Sequence, residues 1–110
     1  MMGAQYYGAD SENGDRIEDP SEDALFMMIS DLNNSDNTFV VVQPDEDDPV
    51  WFATVAVLDE GGYEIVRRDP VHNEHKVTTA TSIDAIALDL TKWSAARDFP
   101  GRPTRQVTDY

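Results

Sequence analysis

The chain has 110 residues, 40% of them apolar and none of them cysteine, and its 22 acidic against 8 basic residues leave a formal charge of −14. This length supplies one domain with a modest core, and the lack of cysteine excludes a disulfide framework or a thiolate zinc site and points to a reducing, cytoplasmic setting. The acidic surplus excludes nucleic acid and anionic membrane as partners and speeds encounter with a basic protein.

No apolar run nears the roughly 18 residues that span a bilayer, and the opening Met1 to Tyr7 lacks the basic start and apolar stretch of a signal peptide. Residues 1–18 carry Asp10, Glu12, Asp15 and Glu18 against Arg16, with three glycines and almost no aliphatic side chains, so they read as a disordered acidic segment. Order is expected from Asp19. There Asp19-Pro20-Ser21-Glu22 places a capping carboxylate at N-cap, proline at the first helical position and glutamate at the third. The helix that follows carries Ala24, Leu25, Met28, Ile29 and Leu32 as one apolar stripe, and Asn33-Asn34 supplies a left-handed stop.

The period then becomes extended. Four strands are predicted: Thr38 to Gln43, Val50 to Leu58, Tyr63 to Arg68 and His75 to Thr81, with Asp59-Glu60-Gly61-Gly62 as a hairpin turn and Asp69 to Asn73 as a longer one. Thr81-Ser82-Ile83-Asp84 caps a second helix, striped by Ile83, Ile86, Ala87, Leu90 and Trp93 and ending near Arg97. Residues 98–110, with Pro100, Gly101 and Pro103, read as an irregular tail that packs through Phe99. The sum is an α+β domain over 19–97, a four-stranded antiparallel meander with an N-terminal and a C-terminal helix on one sheet face.

The strand from Val50 to Leu58 is apolar on both sides, with Trp51, Val55 and Val57 on one and Phe52, Ala56 and Leu58 on the other. Two helices cover only one side, so the other is expected to meet the tail, a second copy or a different protein. Trp51 and Phe52 are therefore candidate partner contacts, although Trp51 and Trp93 also read as core residues in mutual contact.

Of the remaining groups, Asp45-Glu46-Asp47-Asp48 lacks the spacing, glycine and terminal glutamate of a calcium loop and reads as a solvated loop or a partner-facing patch, together with Asp59-Glu60. His72, His75, Glu74 and Glu64 fall short of the convergent ligands of a zinc site. No serine stands in a nucleophile elbow. Arg67-Arg68 is the one adjacent basic pair and is expected to bridge to nearby acids. Nothing calls for a cofactor, a metal or catalysis.

An acidic opening helix, the Thr38-Phe39-Val40-Val41-Val42 and Trp51-Phe52-Ala53-Thr54-Val55 strands, a Gly61-Gly62-Tyr63 turn, Arg68-Asp69 followed by Glu74-His75, and a Ser82-Ile83-Asp84 helix ending in Trp93 form a pattern. Over about residues 19–97 it resembles small actinobacterial proteins similar to the Imm1-type immunity proteins of polymorphic toxin systems. The resemblance implies a non-enzymatic inhibitor that binds a basic, often nuclease, toxin. In that reading Asp45, Glu46, Asp47, Asp48, Asp59 and Glu60 replace the charge of substrate phosphates. Two alternatives remain: an accessory protein that docks or homodimerises through an apolar sheet face, and an acidic surface that serves solubility or a halophilic setting alone.

Overall fold

Val40 and Val42 are fully buried while Phe39 and Val41 beside them keep solvent contact, the two-residue period of a strand with one face on a core. The same alternation recurs along the chain. In the computed structural model, which describes residues 7–44 and 49–97, it yields strands β1 (Tyr7–Ser11), β2 (Arg16–Glu18), β3 (Phe39–Pro44), β4 (Phe52–Val57), β5 (Tyr63–Asp69) and β6 (Glu74–Ala80). Helices α1 (Glu22–Ser30) and α2 (Ile83–Ala95) complete the fold. The strands form one antiparallel sheet in the order β2-β1-β3-β4-β5-β6.

The sheet therefore has six strands, two more than the sequence patterns predict, and both extra strands lie in the segment expected to be disordered. Ser11 to Arg16 closes β1 on β2: the Ser11 N–H donates to Asp15 O at 2.9 Å, and Gly14 adopts φ 99°, a left-handed conformation open to glycine. β1 then pairs with β3 from Tyr7 against Pro44 to Ser11 against Val40. The acidic, aliphatic-poor composition misleads because β1 turns only Tyr7, Ala9 and Ser11 inward, and backbone pairing holds the rest. The irregular tail and its Phe99 lie outside the described residues.

Both helices are capped by serine. Ser21 Oγ accepts the Ala24 N–H at 3.1 Å, and Ser82 Oγ accepts the Ala85 N–H at 3.2 Å. Asp19 is not the cap that its spacing suggests; it takes φ 53°, and Pro20 precedes the cap. At the other end of α1 the stop is Asp31 in a right-handed conformation, not the asparagine pair. Buried Asn37 takes up the loose ends there, its Nδ2 donating to Asp31 O at 3.2 Å and its Oδ1 accepting the Asn13 N–H at 3.3 Å.

One core joins the layers. Leu25, Met28 and Ile29 of α1 and Ile86, Ala87, Leu90 and Trp93 of α2 pack with Val40, Val42, Ala53, Val55 and Ile65 of the sheet. Both helices thus sit on the same face. Trp51, just before β4, lies at the centre of an aromatic line: its ring is 5.8 Å from Tyr7 and 5.4 Å from Trp93, both edge to face. No helix among the described residues is long and apolar enough to cross a membrane.

Candidate functional site

The register brings four connections to one end of the sheet: residues 12–15 between β1 and β2, 31–38 between α1 and β3, 58–62 between β4 and β5, and 81–82 leading into α2. With the first turn of α2 they carry Glu12, Asp15, Asp31, Asp36, Asp59, Glu60 and Asp84, all exposed, and no lysine or arginine. Each acid is unremarkable alone. Gathered by topology they make a strongly negative end, where like charges raise the potential felt by an approaching cation. Glu12 is fixed in place, because its Oε1 accepts both the Thr38 hydroxyl at 2.6 Å and the Thr38 N–H at 2.8 Å. The hydroxyl first, and then the N–H, hold its carboxyl below the ordinary carboxylate value.

The sheet face opposite the helices has an apolar centre. A cross-strand row runs Arg16, Asp10, Val41, Thr54, Val66, Val77 over all six strands. Beside it, nearer the acidic end, lies the row Phe39, Ala56, Glu64, Thr79, and on the other side Phe52, Arg68, His75. Phe39 is 37% exposed and Val77 54%, and among the described residues no element covers this face. On β1 and β2 it is polar: Arg16 Nη1 pairs with Asp10 at 2.7 Å, its guanidinium lying across Gly8, where a Cβ would come within 2.9 Å of it. The acidic end also holds a shallow cleft of about 430 Å³ lined by Leu58, Glu60, Gly61, Gly62, Tyr63 and Thr79 to Thr81.

The predicted site residues separate. Asp59 and Glu60 are exposed at the acidic end. Asp45, Glu46, Asp47 and Asp48 lie outside the described residues. Trp51 and Phe52 point to opposite sides of the sheet: Phe52 is half-buried on the open face, whereas Trp51 is 1% exposed inside the core. Trp51 is a core residue and not a partner contact, because its ring is enclosed by Tyr7 and Trp93.

Among the described residues, Arg67 and Arg68 do not bridge to acids. Alternation sends Arg68 to the open face, where it meets His75 Nδ1 at 3.1 Å, and Arg67 to the helix side, beside Asp89 in a cleft of about 80 Å³ between α2 and β5–β6. The ion pairing lies instead at Asp69. Its carboxylate, 2% exposed, accepts Arg97 Nη1 at 2.9 Å and meets His72 Nδ1 at 2.8 Å. Arg97 also reaches Glu74 at 3.1 Å and lies 4.7 Å from the Trp93 ring centroid, while Trp93 Nε1 donates to Glu74. This clasp ties the last turn of α2 to the β5–β6 hairpin. Among the described residues no group of three or more His, Cys, Asp or Glu is placed to hold a metal ion.

Comparison of the chain with protein-family models, curated proteins and solved structures gives no match. Two parts of the site escape sequence reading. Phe39, Val41, Val66 and Val77 were visible only as strand residues, and their alternation with buried neighbours is the signal that marks them as the uncovered face. The acidic end leaves no local signal, because its residues are spread from 12 to 84.

Proposed function

We propose that this chain is a non-enzymatic protein-binding module that presents its acidic end and the adjoining apolar sheet face to a basic protein. The observation that carries this reading is the convergence of seven exposed acids, six from three separate connections and one from the first turn of α2, beside the half-exposed Phe39 and Ala56 row. An acidic rim speeds encounter and sets orientation; an apolar centre supplies the contact that holds the complex. The two adjoin here. The cleft lined by Glu60 and Tyr63 adjoins both, and a lysine or arginine side chain of the partner would meet its acidic rim there.

Within that class, the immunity-like reading gives the acids a definite task. Carboxylates at the acidic end occupy the cationic groove with which a nuclease-type toxin grips phosphates, and so exclude its substrate. The test is a search for a toxin gene adjoining this one and, where one is present, co-expression with its toxin domain followed by binding kinetics. Rescue of growth, with an on-rate that falls at least about tenfold in a Glu12→Lys/Asp59→Lys/Glu60→Lys variant and falls with added salt, supports the reading. If no toxin gene adjoins, the inhibitor role is removed. Binding insensitive to salt and to these reversals, but lost in Val41→Asp, supports the accessory-docking alternative instead, which the exposure of Phe39 and Val77 favours.

A further inference from the structure

The sheet has two edges, and they differ. The β2 edge is three residues long and carries the Arg16 ion pairs to Asp10 and Glu18. The β6 edge is seven residues long, none of them buried, and among the described residues no strand pairs with its outer side. An unpaired row of N–H and C=O groups of that length is a template for another strand.

Charge selects the occupant. Residues 63–80 hold three basic residues (Arg67, Arg68, Lys76) and three acidic ones (Glu64, Asp69, Glu74), so the β5–β6 hairpin is neutral, and the rest of the chain, with 5 basic against 19 acidic residues, carries the whole −14. A basic partner has no attraction to this hairpin. A second copy of the chain, repelled elsewhere, meets no net repulsion here.

The geometry points to a two-fold homodimer in which β6 pairs antiparallel with β6 of a second copy, centred on Val77. Val77 is the midpoint of Glu74–Ala80, so this register overlaps all seven residues. It sets Val77 against Val77 of the second copy, Lys76 against Thr78, His75 against Thr79 and Glu74 against Ala80, with no like charges opposed. Registers centred on His75 or Lys76 oppose two histidines or two lysines and leave part of the strand unpaired. The Val41, Thr54, Val66, Val77 row then runs on into its symmetry mate, and the most exposed valine on the open face gains cover. The acidic ends stay uncovered, so the dimer presents two of them.

The test is sedimentation equilibrium of the full chain, from about 10 µM to about 1 mM because an edge contact buries little area, with circular dichroism to verify folding. Val77→Lys and Val77→Glu each place like charges opposite one another, and each raises the dimer dissociation constant at least about tenfold. Mixed in equal amounts, the two variants re-associate, since lysine then faces glutamate, and slowed amide exchange on dimer formation maps to β6. A wild-type chain that stays monomeric over this range overturns the proposal. So do dimers that persist in both single variants, which place the contact elsewhere, and variants that fail to re-associate on mixing. Because the acidic end lies outside this contact, a wild-type chain that stays monomeric yet binds its basic partner overturns this proposal alone.

Discussion

Replacing Arg97 by alanine tests the clasp at the end of α2. The substitution removes the hydrogen bonds to Asp69 and Glu74 and the cation over Trp93, and it leaves Asp69, 2% exposed, with His72 as its remaining partner. Breaking a buried pair by deleting one member costs about 3–5 kcal/mol, since an uncompensated charge stays behind. Arg97 keeps 14% side-chain exposure and His72 still meets the carboxylate, which places the loss at the lower end, about 3 kcal/mol. For a domain of this size that lowers the melting temperature by roughly 10–20 °C. Urea unfolding followed by tryptophan fluorescence measures it. The sign of the second step is more telling than the size of the first: in the Arg97→Ala background, Asp69→Asn removes the stranded charge and recovers stability, whereas in the wild type the same change destabilises. A loss below about 1 kcal/mol for Arg97→Ala, or no sign reversal, means that the pair behaves as an exposed salt bridge and the clasp argument is wrong.

Trp51→Ala, which empties the centre of the aromatic line, destabilises by about 3–5 kcal/mol, with Trp51→Phe much milder; thermal melts decide it, and a tolerated alanine would return Trp51 to the list of surface contacts. Deleting residues 1–18 strips β1 from β3, exposing the edge and core face beside Val40 and Val42, so cooperative urea unfolding is lost; an unchanged midpoint refutes a structural role for the N-terminal strands. Glu12→Gln probes pH dependence. The folded carboxyl is held below its ordinary value of 4.5, so its stabilising effect is complete above that value and disappears as pH falls through the lowered one. Stability curves of the wild type and the variant therefore differ at neutral pH and converge in acid, and a gap that widens on acidification contradicts the Thr38 contact.

Four strands and both helices were legible because each buries one side of a regular period: Val40 and Val42 in β3, Leu25, Met28 and Ile29 in α1, and Ile86, Ala87, Leu90 and Trp93 in α2. β1 and β2 were not, since their inward residues are few and small and their acids mimic a disordered tail. Yet Asn13-Gly14 is a hairpin dipeptide, and weighing it above composition would have found them. The cap of α1 was misplaced by two residues for a similar reason: aspartate before proline looks like a cap until Ser21 is seen to reach the Ala24 N–H. The site was the least legible part. Asp59 and Glu60 stand out in the sequence as an acidic pair, but Glu12, Asp15, Asp31, Asp36 and Asp84 join them only through strand register, and Asp69 meets Arg97 across 28 residues of sequence.

The order of the strands has a bearing on biosynthesis. From β4 onward each strand pairs with its immediate predecessor, β3 pairs with β1, and β1 and β2 form a local hairpin, so the sheet can be laid down progressively as the chain leaves the ribosome. The layer that covers it cannot. Trp93, in the last helix among the described residues, and Arg97, just beyond that helix, close the core against Trp51 and Asp69. A nascent sheet thus waits with the core side of Val42, Ala53 and Val55 only partly roofed by α1, and a chain stalled before residue 93 is a sticky half-product. The heavy negative charge borne by its already finished turns keeps such intermediates apart in a crowded cell, a service rendered before any partner is met.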